Sequence, residues 1–172
     1  RAFAKLSVER GVRASFIAYF ADDGIGFAPH PYKVKEVLSN RPAPTTRSPT
    51  VLNWAPIFGG IARAGDLGWN TGPTLYEDTS PEKRPTQHGM FFSVWKKQSD
   101  GNWRVVLDLG SSTPAAVAPL DAPFRAAQQT SIERPSAGAN VAQEDAGLLE
   151  AEREFLAAAK TGSVGQAYKG RL

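Results

Sequence analysis

The sequence predicts an α+β fold in which a curved, mostly antiparallel sheet is covered on one face by helix. Three observations carry this. Residues 89–110, GMFFSVWKKQSDGNWRVVLDLG, set two runs of aromatic and β-branched residues on either side of Asp100-Gly101, which marks a tight hairpin turn. Residues 50–77 repeat the pattern, with turn chemistry at Ala64-Gly65-Asp66 and a Gly59-Gly60 pair that bends a long first arm. Ahead of both, in residues 1–20, Phe3, Leu6 and Arg10 and then Val12, Phe16 and Phe20 fall near helical spacing.

The elements follow in order. Gly11 would cost about 1 kcal/mol against Ala inside one continuous helix, so one helix and two short helices meeting at Gly11 are both open. Asp22-Asp23-Gly24 is expected to end the segment, with a short strand at Ile25 to Phe27 and a path broken by Pro29 and Pro31. Residues 33–40 make two helical turns with Val34, Val37 and Leu38 inward, and residues 41–49 are a loop by composition. Residues 78–86, with Pro81 and Pro85, link the two hairpins.

With Asp100 and Gly101 as a two-residue loop, Ser99 pairs with Asn102, Gln98 with Trp103, Trp95 with Val106 and Ser93 with Asp108. Strand alternation then divides the last hairpin into two faces. Met90, Phe92, Val94, Val105, Leu107 and Leu109 form an apolar face suited to helices or a partner subunit. The other face carries Phe91, Ser93, Trp95, Val106 and Asp108.

Composition shifts beyond the hairpins. Residues 111–143 hold four prolines and nine alanines, a linker composition, and residues 144–162 return to a helical pattern with Leu148, Leu149, Phe155, Leu156 and Ala159 on one side. The expected organisation is a domain over 1–110, a linker over 111–143 and a helix within 144–172. A shift of 152 sets Arg153 on Arg1, Phe155 on Phe3, Val164 on Val12, Tyr168 on Phe16 and Leu172 on Phe20, which reads either as chance between amphipathic helices or as the start of a second copy. The second reading expects the natural protein to continue past Leu172. The first residue is Arg1, so a native N-terminus upstream is expected too.

Charge and composition narrow the classes. The net charge is +3, and the basic excess lies in residues 1–110, with 14 basic and 10 acidic residues against 6 and 7 in residues 111–172. Lys33 with Lys35, Lys83 with Arg84 and Lys96 with Lys97 are separated pairs rather than a stripe, which speaks against nucleic-acid binding. No apolar run approaches the roughly 18 residues of a membrane span. There are no cysteines and two histidines, His30 and His88, so thiolate chemistry is excluded and neither a metal nor a cofactor is expected. Phosphate-loop and GxGxxG patterns are absent from the sequence.

A helical segment ending in YFADDGIGF, then LNWAPIFGGIARAGDLGWNTGPTLYE, then GMFFSVWKKQSDGNWRVVLDLG, resembles the SnoaL-like branch of the nuclear-transport-factor-2-like superfamily over residues 1–110. The resemblance rests most on Trp54 with Pro56, the turn at residues 64–68 and residues 95–110. It implies an α+β cone, a strongly curved sheet wrapped around N-terminal helices with a cavity at the open end. Members include isomerases, dehydratases, cyclases and binding domains, so fold does not choose among them.

In catalytic relatives a cavity carboxylate or histidine acts as base and a tyrosine or protonated acid holds an oxyanion. The candidates here are Asp108, His88 and Asp23, with Tyr19 as donor. Asp23 fits a turn or capping role, and His88 an exposed strand entrance. Asp108 stands between Leu107 and Leu109, where a bare carboxylate is costly to bury, so it is either a hydrogen-bonded structural residue or a ligand-facing one. The tryptophans fit core packing or dimer burial as well as ligand stacking. The expected site is Asp108, Ser93, Trp95, Phe91, His88 and Tyr19. Its expected occupant is a small apolar or amphipathic molecule, in a binding or accessory domain for which pairing as a homodimer and packing on a second domain are both open; an isomerase-, dehydratase- or cyclase-type enzyme using Asp108 or His88 as base is the alternative.

Overall fold

Gly101 sets how the last hairpin closes. In the computed structural model, which describes residues 1–128 and 140–169, Gly101 takes a φ of 81° while Asp100 does not enter the left-handed region. The Gly101 N–H donates to Gln98 O at 3.0 Å and the Gln98 N–H to Asn102 O at 2.8 Å, so the loop has three residues, Ser99, Asp100 and Gly101, not two. Both loop lengths use a left-handed glycine, which is why Asp-Gly alone does not separate them. Near the turn the pairing is therefore one residue off the expected register: Lys97 opposes Trp103 and Trp95 opposes Val105. A bulge at Val106 restores it, and Ser93 does oppose Asp108.

The bulge corrects the faces. Val105, expected on the apolar face, moves to the side of Trp95 and Ser93 and is fully buried. The face toward the helix is the mixed one, with Phe91 and Ser93 buried, while Met90, Phe92, Val94 and Leu107 on the other side are only partly covered and Leu109 is exposed.

The elements are α1 (Ala2–Tyr19), β1 (Phe20–Phe27), β2 (Pro31–Lys33), α2 (Val34–Asn40), β3 (Thr50–Trp54), β4 (Phe58–Ile61), β5 (Leu67–Asp78), β6 (Gln87–Lys97), β7 (Trp103–Thr113), β8 (Arg125–Ala126), α3 (Val141–Thr161) and α4 (Val164–Lys169). The sheet runs β2-β1-β7-β6-β5-β4-β8, with β3 also on β5. Pairing is antiparallel except β1 with β7 and β4 with β8. Asp22-Asp23-Gly24, expected as a terminator, follows the end of α1 and lies inside β1, at the irregularity between the pairs Phe20 with Val105 and Ile25 with Leu107. The long arm breaks at residues 55–57 rather than at Gly59-Gly60; there the Ala55 and Ile57 N–H groups still donate to Pro73 O and Thr71 O of β5, so the strand bends without leaving the sheet.

α1 is one element kinked at Gly11, whose φ of 84° and ψ of 164° are non-helical. The kink turns the helix so that rings on both sides of it meet. Phe3 contacts Phe16, Tyr19, Phe20 and Trp54 with centroids 4.7–6.2 Å apart, and Phe20, Val34 and Val105 complete a core with no exposure. Burial of such rings is the main stabilising contribution here. The Ser7 hydroxyl donates to Leu52 O at 3.0 Å and ties α1 to β3.

The chain forms two compact units, Arg1–Gln129 and Thr130–Leu172. The first extends past the hairpins, since β7 runs to Thr113 and β8 adds to the edge of β4. In the second, α3 begins three residues before the expected start, where the Asn140 side chain accepts from the Ala142 N–H. Part of the expected linker, residues 129–139, and the final match at Leu172 lie outside the described residues.

Candidate functional site

Three strands deliver the polar centre of the site. β7 carries Asp108 opposite Ser93 of β6 on one side and Gly26 of β1 on the other. Gly26 matters because a Cβ there would meet Val34 at 2.8 Å and the Tyr32 ring at 3.3 Å; its absence lets both close against the strand beside Asp108. The alternation of β5 sends Thr74 and Tyr76 to the same side, opposite Trp54 and Leu52 of β3.

These residues line a cavity of about 380 Å³ in the first unit. Phe3, Val12 and Phe16 line it from α1, Leu52 and Trp54 from β3, and Phe91 from β6. Polar groups come from Asp108, Tyr32, Thr74, Tyr76, Gln87, His88 and the β7 end at Ser111 and Ser112. Lys and Arg do not occur among the described lining residues.

Electrostatics follow from this wall. Burial pushes the Asp108 carboxyl up to about 6, against the pull of the Ser93 hydroxyl, which donates to Oδ1 at 2.5 Å. Burial and then the Asp108 charge push the Tyr76 phenol above its ordinary range. A carboxyl that titrates near neutrality can accept a proton or a hydrogen bond, and a phenol beside it can donate one.

Of the six expected site residues, Asp108, His88 and Phe91 line the cavity. Ser93, 2% exposed, stands behind Asp108 as its donor. Trp95 and Tyr19 pack in the aromatic core with Phe3 and with each other, and neither lines the cavity. Asp23 is exposed on β1. Tyr76 and Tyr32 were missed: the alternation of β5 signals that Tyr76 shares a face with Thr74, but only strand pairing brings that face to Asp108. Among the described residues no group of three or more His, Cys, Asp or Glu side chains is placed to hold a metal, and no helix is long and apolar enough to cross a membrane.

A kinked N-terminal helix in the hollow of one curled, mostly antiparallel sheet, with a cavity bounded by both, decides the architecture. This is the α+β cone that the resemblance over residues 1–110 implies. Solved structures similar to it include a ketosteroid isomerase-like protein from Erwinia carotovora atroseptica, 14% identical over 69% of this chain and 92% of that one, with a TM-score of 0.44. Another is the hexachlorocyclohexane dehydrochlorinase LinA-type3 from Novosphingobium barchaimii, 14% identical over 69% and 88%, TM-score 0.48. A third is the CamKII hub homology domain from Chlamydamonas reinhardtii, 14% identical over 64% and 90%, TM-score 0.48. No protein-family model and no curated protein sequence matches the chain.

Proposed function

We propose that the cone is a small-molecule-binding domain whose cavity takes an apolar or amphipathic ligand presenting a hydrogen-bond donor or a cation to Asp108. One observation carries this: a carboxyl group sits among aromatic and uncharged polar side chains with the Ser93 hydroxyl donating to it and no Lys or Arg among the described lining residues. Placing a carboxylate there is unfavourable unless a partner satisfies it, and a ligand supplies that partner. The experiment is a thermal-shift screen of metabolites against the wild type and Asp108→Asn, followed by calorimetry on each hit. A hit that binds the variant at least tenfold more weakly supports the assignment; equal affinity removes it.

Proton-transfer catalysis is the second reading, favoured by the raised phenol of Tyr76 beside a carboxyl titrating at about 6. In it Asp108 takes a proton from carbon and Tyr76 donates a hydrogen bond to the oxygen that gains charge. Exchange of a ligand's acidic C–H in deuterated water, present in the wild type and lost in Asp108→Asn, separates this from binding alone. Self-association would use the outer sheet face around Phe92, Leu107 and Leu109, and sedimentation at micromolar concentration reads it.

A further inference from the structure

The second unit repeats the geometry of α1 in one register. In α1 the Phe3 ring, ahead of the kink at Gly11, meets the Phe16 ring beyond it with centroids 5.1 Å apart and planes at 61°. In the second unit Phe155, ahead of the break between α3 and α4, meets Tyr168 beyond it at 4.9 Å and 66°. Residues thirteen apart are separated by roughly 20 Å along a straight helix, so neither contact forms unless the chain folds back at the break. The break falls at the same place: the shift of 152 that sets Phe155 on Phe3 and Tyr168 on Phe16 sets Ser163 on Gly11.

The apolar pattern follows the same register. The buried residues of α1 are Phe3, Ala4, Ser7 and Ser15, and their counterparts are Phe155, Leu156, Ala159 and Ala167, all apolar, of which Ala167 is buried and Phe155 and Ala159 are partly covered. In the first unit this face meets the sheet, with Phe3 edge-on to Trp54 at 4.7 Å. In the second, Leu156 is 51% exposed and Tyr168 55%. A chance match between amphipathic helices accounts for apolar periodicity, but not for a shared break and a shared ring pair.

We propose that α3 and α4 are the opening helical element of a second cone, and that the face bearing Leu156, Ala159 and Tyr168 is a docking surface for the concave side of that second cone's curved sheet. In the first unit the matching face of α1 covers the sheet through Phe3 on Trp54 and Ser7 on Leu52, so by the same register the occupant is a further sheet of that kind, with an aromatic residue where Trp54 stands.

The chain has no cysteine, which makes a single introduced thiol a clean probe. Leu156→Cys and the milder Ala159→Cys are placed in the complete natural gene product, with exposed Glu152→Cys as reference, and alkylation is located by peptide mass spectrometry. The expected result is labelling of both helix-face thiols at least tenfold slower than the reference, in a product heavier than 18.5 kDa by roughly the 100 residues of a domain. Labelling of Ala159→Cys and Leu156→Cys at the reference rate overturns the proposal, as does a natural product whose last residue is Leu172. The Ala159 variant keeps the test decisive where Leu156→Cys disturbs the helix.

Discussion

Ser93 gives its hydroxyl proton to Asp108 Oδ1 at 2.5 Å, across the strand pair that sets the two residues opposite each other. The contact joins a buried donor to the cavity's carboxyl, so the properties of Asp108 answer both to the aromatic wall in front and to the hydroxyl behind.

Asp108 makes stability depend on pH with a definite sign. Its carboxyl titrates at about 6 in the fold against an ordinary value of 3.8. Between those values the folded state alone holds the proton, so the group's contribution is whole below pH 3.8 and is lost as pH rises through 6. The loss is on the order of 3 kcal/mol. Asp108→Asn removes this dependence, and the variant should gain on the wild type by that order between pH 4 and pH 7.5. Urea unfolding of both proteins across this range checks it; a constant difference would contradict the assigned burial.

Ser93→Ala should move the Asp108 midpoint further up, because the hydroxyl now favours the charged form. The carboxyl carbon of Asp108, followed by NMR through a pH titration, reads the change directly. A midpoint that falls or stays in place would show that the hydroxyl does not hold the carboxylate.

Phe20 has no exposure and stacks on Phe16 at 5.1 Å, so Phe20→Ala should cost about 3–5 kcal/mol through lost contact and the cavity left behind. Phe124, half exposed, should cost about 0.5 kcal/mol on the same change. Equal losses by chemical denaturation would mean that the core is centred elsewhere.

At Gly101 nothing lies within 4 Å of an added Cβ, so the cost of substitution there is conformational. With φ at 81°, Gly101→Val should destabilise by about 1–2 kcal/mol, and Gly101→Asn by clearly less, since Asn tolerates the left-handed region. Thermal unfolding of the two variants side by side gives the comparison, and a valine variant as stable as the asparagine one would refute it.

By itself the sequence determined what depends on near neighbours. The hairpin around Gly101 and the helical start with Gly11 as its weak point follow from turn chemistry and helix spacing, which act within a few residues, whereas Ser93 and Asp108, expected opposite each other on a two-residue loop, meet because the bulge at Val106 offsets the third loop residue. Alternation assigns residues to sides of a strand but does not say which side is concave. Tertiary structure decided that: the bulge at Val106 turned Val105 inward, and the curl of the sheet set the mixed face, not the apolar one, against α1. It also took Trp95 and Tyr19 into the core and brought Tyr76 and Tyr32 to the cavity that Asp108 lines. Those outcomes rest on contacts between strands far apart in the chain, where the packing of rings and the pairing of whole strands set the geometry and local preference has no hold.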